Sequence, residues 1–178
     1  MQKESVIVVA IEIINKCVKM RLPNGRTVDI LENVFKQVAE WIQIDYKDPE
    51  SGGFILEYQH QGTGNVSLEY VTVPQSLDFR DRINFKIRDP RHKIMLLRGK
   101  LRKSYYMGVW HTHPQKIPIP SGIDWDDWND TLLKDKTACE YVFFLISGSE
   151  GIRVWVGNSE TKKIEEIYEC EKEGRFYK

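Results

Sequence analysis

The chain has 178 residues, 41% of them hydrophobic, and its 26 basic and 26 acidic side chains leave no formal net charge. That length and apolar content predict one globular domain over residues 1–178 with its own core, and the neutral balance argues against nucleic acid or an anionic membrane as partner. Cys17, Cys139 and Cys170 are odd in number and lack the spacing of a metal knuckle, so they read as reduced thiols of a cytoplasmic protein.

Val6 to Ile14 is rich in β-branched residues and reads as a strand. It is interrupted by Glu12, is shorter than a membrane span, and has neither a basic lead nor a small-residue cleavage site. Neither a membrane anchor nor a secretion signal is therefore expected there. Leu22-Pro23-Asn24-Gly25-Arg26 is a turn, built on the Asn-Gly pair that hairpins favour. From Asp29 the apolar period becomes helical, through Ile30, Leu31, Val34, Phe35, Val38, Trp41 and Ile42. Asp29 and Glu32 have capping-box spacing, which predicts a helix from Asp29 to about Ile42.

Asp48 to Gly53 breaks that phase and leads into a buried strand, Phe54-Ile55-Leu56; Gly62 to Asn65 turns it back on a strand from Val66 to Val73. Phe79 to Ile87 reads as one strand of mixed polarity. Asp89 as N-cap and Pro90 in the first turn start a helix to about Lys103, with Ile94, Leu97 and Leu101 on one face. Arg80 to Lys103 holds many more bases than acids. It reads as a solvated face in preference to a nucleic-acid patch, with an acidic or carboxylate-bearing partner left open.

Tyr105 to His113 is a strand. After Ser121, Trp125, Trp128 and Leu132 recur at helical spacing as core residues, while Asp126, Asp127 and Asp130 suit the helix's positive N-terminal end. Tyr141 to Ile146 and Ile152 to Val156 flank a Gly-Ser turn as a hairpin expected at the centre of the sheet. Ile164 to Tyr168 fits a last strand or a short helix. This order of elements predicts an α/β fold, a mixed sheet with helices packed on it.

The chemistry gathers in Gly108-Val109-Trp110-His111-Thr112-His113-Pro114 and Ser121-Gly122-Ile123-Asp124. Two apart on a strand, His111 and His113 leave from the same face, and Pro114 closes the strand. Trp110 and Thr112 point the other way and read as packing residues. With Ser121 as N-cap, Asp124 falls in the first helical turn. Two imidazole nitrogens and one carboxylate thus converge, with a fourth position left open, which is the arrangement of a catalytic zinc site.

His-x-His, seven residues, then Ser-x-x-Asp closely resembles the JAMM signature of the JAB/MPN metallopeptidases. Glu50-Ser51-Gly52-Gly53-Phe54-Ile55-Leu56 resembles that family's early Glu beside Gly-Gly and an apolar strand. The resemblance implies a JAB/MPN-like fold and Zn2+ on His111, His113 and Asp124. It also implies Glu50 as the acid/base residue and Ser121 as a donor to the oxyanion. Glu57, at the far end of the same strand, is the competing carboxylate; Glu50 is preferred because the glycines beside it permit close backbone approach. For Ser121 a helix cap is the alternative role.

Family enzymes mostly cut after the C-terminal glycine of ubiquitin or a ubiquitin-like protein. The form Gly-x-Trp-His-Thr-His-Pro with Pro-x-Pro-Ser looks most like stand-alone bacterial JAB domains. Those occur beside E1- and E2-like enzymes in antiphage operons of the CBASS and Bil types. The resemblance therefore implies a deubiquitinase-like zinc isopeptidase that processes a ubiquitin-like precursor or removes it from targets. Its expected partners are the ubiquitin-like protein or its conjugate, and E1/E2-like enzymes. A JAB peptidase that trims sulfur-carrier proteins, and a metal-free MPN binding module, are the alternatives.

Overall fold

The computed structural model describes residues 17–59, 64–137 and 139–170; the strand expected over Val6 to Ile14 lies outside them. In chain order the described elements are β1 (Val18–Arg21), β2 (Thr27–Ile30), α1 (Glu32–Ala39), β3 (Gly52–Gln59), β4 (Val66–Val71), β5 (Phe79–Asp81), β6 (Asn84–Lys86), α2 (Arg91–Leu101), β7 (Ser104–Thr112), α3 (Gly122–Lys134), β8 (Tyr141–Ser147), β9 (Ile152–Asn158) and β10 (Ile164–Ile167). Eight strands form one sheet in the order β1-β2-β4-β3-β7-β8-β9-β10, and β5 and β6 make a separate hairpin. The β2–β4 and β7–β8 pairs are parallel and the other neighbours antiparallel, so the fold is the mixed α/β sheet expected.

The sheet is buried on both faces at β8, whereas β1 alternates buried and exposed residues. All seven residues of β8 are buried, because alternate side chains of a strand serve opposite faces. Phe143 and Leu145 join the core that holds Val34, Phe35 and Val38 of α1. Val142, Phe144 and Ile146 meet Trp128 and Leu132 of α3 on the other face. Trp128 stacks on Phe144 with ring centroids 4.8 Å apart, and burial of a side chain of that size contributes about 1.5–3 kcal/mol. Trp125 is exposed at the helix surface, against expectation, although its ring edge still meets Trp128.

Several boundaries differ from the sequence reading, each for a nonlocal reason. The helix expected from Asp29 begins at Glu32, because Val28, Asp29 and Ile30 pair in parallel with Val66, Ser67 and Leu68. Leu31 is extended and donates its N–H to Leu68 O at 2.9 Å. The pairing buries Val28 and Ile30, and that outweighs a local cap. The same helix ends at Ala39, and Asp48 then accepts from the N–H groups of Ile44 and Asp45, fixing a turn. Phe79 to Ile87 is a hairpin instead of one strand, turned where Asp81 Oδ1 accepts from Ile83 N–H at 2.9 Å. The β8–β9 hairpin lies outside the centre of the sheet, which is the β3–β7 pair, because β8 joins β7 through the α3 crossover. Ile164 to Tyr168 resolves as edge strand β10.

Asp89 caps α2 by accepting from Arg91 N–H at 2.9 Å. The face of α2 turned to the sheet is set by His92, which is buried between Thr72 Oγ1 and Asp78 Oδ2, each at 2.7 Å. Ile94, Leu97 and Leu101 consequently face solvent, at 45%, 65% and 86% exposure.

One irregularity orients the centre of the sheet. Ile55 pairs with Gly108 while Leu56 pairs with Tyr106, so β7 carries an extra residue, Met107, across from β3. Such a bulge shifts side-chain alternation by one. Met107 and Trp110 therefore lie in the same core although they are three apart. Val109 packs on the α3 side, and His111 follows it to that face. A Cβ on Gly108 would stand 1.8 Å from Phe143 O, so the bulge requires glycine.

Candidate metal centre

The β3–β7 register builds the site. Gly52 opposes His111 and Gly53 opposes Trp110; Thr112 N–H continues the ladder to Ser51 O at 2.8 Å. One more step brings Glu50 across from His113, with Glu50 Oε1 3.9 Å from His113 Nε2. Gly53 is held against β4, where a Cβ would meet Thr72 O at 2.0 Å. On the cleft side the tight contact is at Gly52, where a Cβ would meet Phe85 Cδ1 at 2.6 Å.

Asp124 arrives from α3. Ser121 caps this helix with a full capping box: its Oγ accepts from Asp124 N–H at 3.2 Å, and its own N–H donates to Asp124 Oδ2. The box turns the Asp124 carboxylate back toward β7. Its Oδ1 lies 3.0 Å from His111 Nε2 and its Oδ2 3.3 Å from His113 Nε2. The two Nε2 atoms are themselves 3.0 Å apart. His111, His113 and Asp124 form the one group of three or more metal-capable side chains among the described residues.

The donor set fits a zinc ion. Two imidazole nitrogens that face each other at 3.0 Å cannot both present lone pairs without repulsion unless a proton or cation lies between them. A tetrahedral shell with ligand distances of about 2.0–2.1 Å has edges of about 3.3 Å, close to the three separations found. Burial lowers the His111 pKa, which favours the neutral, ligating form. Burial opposes a charge on His113 too, but the hydrogen bond and charge of Asp124, with Glu50 behind it, outweigh that and raise it. Asp124 lies well below the usual carboxylate range, since the two imidazoles overcome the cost of its burial.

Glu50 is 5% exposed. Burial pushes its carboxyl up to about 8; His113 opposes that rise, and Asp124 and Asp81 add to it. A cation on the three ligands would lower it again by favouring the ionised carboxylate. Glu57, the competing carboxylate, lies seven residues along β3, or about 23 Å at about 3.3 Å per residue, and lines a separate cavity with Cys139 and Tyr141. Trp110 packs in the core and donates Nε1–H to Thr72 O at 2.8 Å. Thr112 is buried on the same side, where its hydroxyl accepts from Ser51 N–H and donates to Gln43 Oε1.

The site opens into a cleft of about 420 Å³ lined by Glu50, Phe85, His111, Ser121, Ile123 and Asp124 among others. Strand β6 forms one wall, with Asn84, Phe85 and Lys86. The sequence reads this wall and Arg80 behind it as part of one mixed-polarity strand, Phe79 to Ile87, within a basic stretch; their contacts with the Glu50 segment span about thirty positions of chain and leave no local signature.

Residues 31–164 match the family described as prokaryotic homologs of the JAB domain. A protein of Pseudomonas aeruginosa named CD-NTase/cGAS isopeptidase is 36% identical over 112 residues, 60% of this chain and 68% of its own length. One of the same name from Vibrio cholerae is 28% identical over 140 residues, 77% of this chain and 85% of its own. A solution structure from Desulfitobacterium hafniense shares the fold with a TM-score of 0.53 at 15% identity, covering 77% of this chain and 87% of that one. With the family match spanning most of the chain, and its sheet and helices in the mixed arrangement described, the protein belongs to the prokaryotic JAB-domain family.

Proposed function

We propose that this protein is a zinc-dependent isopeptidase that hydrolyses the bond after the C-terminal glycine of a ubiquitin-like protein, in a bacterial antiphage system of the CBASS kind. Its partners are then the ubiquitin-like protein, its conjugate and the E1/E2-like enzymes that make that conjugate. The relatives named CD-NTase/cGAS isopeptidase support the reaction class. The observation that carries the chemistry is a buried carboxyl, Glu50, 3.9 Å from a ligand of a three-donor group that faces an open cleft.

His111, His113 and Asp124 would hold the zinc. When bound, the ion supplies Lewis acidity, which polarises the scissile carbonyl and makes water acidic enough to ionise near neutrality. Glu50 takes the proton from the attacking water and delivers it to the leaving amine. Ser121 can serve two roles at once. Its oxygen accepts the cap hydrogen bond from Asp124 N–H, and its hydroxyl proton, which bonds the Asp124 carboxylate at rest, would turn to the oxyanion when one forms. Strand β6 pairs on one side only among the described residues, with β5. Its free edge suits an extended, Gly-ended tail added as a strand.

Ser121→Ala is expected to slow turnover by about 10²–10³-fold, the cost of one oxyanion donor, with zinc retained. A serine that only caps would instead lower stability by about 1 kcal/mol and leave the rate of the folded enzyme unchanged. Melting temperature and turnover on one preparation separate the two.

The function itself is tested with zinc-loaded protein and two probes, a reporter fused to the C-terminal glycine of a ubiquitin-like protein and the same protein joined to a lysine side chain. Release of either, abolished by a chelator and restored by zinc, is the expected result. Cleavage confined to sulfur-carrier fusions would favour that alternative, and no cleavage with zinc bound would overturn the assignment.

A further inference from the structure

Glu50 precedes β3, and hairpin β5–β6 holds its main chain from both sides. Glu50 N–H donates to Asp81 O at 2.7 Å. Arg80, the residue before Asp81, donates from Nε to Glu50 O at 2.9 Å and from Nη2 to Ser51 Oγ at 2.5 Å, with Pro49 O at 3.5 Å from the same nitrogen. The guanidinium lies over the Trp41 ring, 5.1 Å from its centroid. One planar fork thus addresses three consecutive residues around the Glu50 Cα, a task that suits arginine and not lysine. Arg80 makes no ion pair with the Glu50 carboxylate among the described residues, so its influence passes through the backbone.

We infer that Arg80 is a positioning residue for hydrolysis: by gripping Glu50 O and Ser51 Oγ it fixes where the Glu50 carboxyl stands relative to His111, His113 and Asp124. The inference rests on the acid/base role proposed for Glu50. Displacing a reacting group by about 1 Å costs about 10²-fold in rate. A loosened grip therefore shows in kcat, while the metal ligands on β7 and α3 and the β6 wall of the cleft stay in place.

The test uses the zinc-loaded full chain and a reporter fused to the C-terminal glycine of a ubiquitin-like protein. The wild type is compared with Arg80→Met, Arg80→Lys, Glu50→Gln and the double variant Arg80→Met/Glu50→Gln, with zinc content and melting temperature measured on each. Arg80→Met should lose about 10²-fold in kcat with KM changed by less than about threefold and one zinc retained. Arg80→Lys should fall between, since an ammonium can keep Glu50 O but not the fork. The double variant should be no slower than Glu50→Gln alone, because both changes act through one group. If Arg80→Met melts below the assay temperature, Arg80→Lys carries the same comparison. An unchanged kcat, or a loss that multiplies in full with that of Glu50→Gln, overturns the inference and leaves Glu50 standing. A Glu50→Gln variant as fast as wild type, or a zinc-loaded wild type that cleaves nothing, defeats the acid/base reading itself, and the inference falls with it.

Discussion

Glu50→Gln is expected to reduce turnover by about 10²–10⁴-fold, the contribution of a general acid–base group, while fold and zinc content stay as they were. Glutamine preserves the shape of the side chain but cannot take a proton from water and pass it on. Glu50 is not among the three converging donors, so its loss leaves them intact. Glu57→Gln is the matched control and should keep full turnover; its effect is thermodynamic. Burial pushes the Glu57 carboxyl up to about 7, and its Oε2 has no hydrogen-bond partner among the described residues. The folded chain therefore holds a proton that the unfolded chain, with a carboxyl near 4.3, has released. The resulting loss of stability is absent below about pH 4, grows as pH rises through that window, and is complete above about 7. Glu57→Gln should accordingly raise the melting temperature at pH 8 and leave it unchanged at pH 4. If Glu57→Gln is the inactive variant and Glu50→Gln the active one, the two assignments must be exchanged.

Asp124→Asn should cost the protein its zinc and, with it, all measurable turnover. Loss of a group behind a ligand weakens metal binding by about 10–100-fold, and loss of a ligand should exceed that. Asp124 also contacts both imidazoles and closes the helix cap. An asparagine can keep one acceptor oxygen, but its amide presents hydrogens where the second oxygen stood. Stability should fall by about 1 kcal/mol, as for other lost caps, so the variant remains folded while it is tested. Zinc content after dialysis is the measurement. A chelated wild type should regain activity when zinc is returned, and the variant should not. One zinc per chain retained by Asp124→Asn would remove this residue from the ligand set.

The parts of the site legible in the sequence were those built from local rules. Residues two apart share a strand face, and a serine three before an aspartate turns that carboxylate back at a helix start. These rules paired His111 with His113 and Ser121 with Asp124, while the face the histidines take depends on the β3–β7 register and the oxyanion role of Ser121 came from the resemblance. Glu50 was legible only through family resemblance, since what faces it toward His113 is a strand register that pairs residues about sixty apart in sequence. At Asp29 and Glu32 the local signal was present and lost, because partners from β4 reached that segment. Arg80 left no signal at all. Its acceptors at positions 49 to 51 are remote in sequence, and nothing in a run of basic residues marks which of them turns inward.

The extra residue in β7 gives that strand a spatial reading frame. Just upstream of Met107, Tyr106 reaches Asp135 at the end of α3, and downstream the opposite parity, Val109 and His111, lies on that face, so both histidines depend on a single intercalated position. Deleting Met107 would act as a frameshift without altering any residue of the motif: His-x-His would remain legible in the sequence while its imidazoles turned into the α1 core and Thr112 took their place in the cleft. Length between Tyr106 and His111 is therefore constrained as tightly as composition, and a screen of single-residue deletions should find this short span intolerant even where substitutions are accepted.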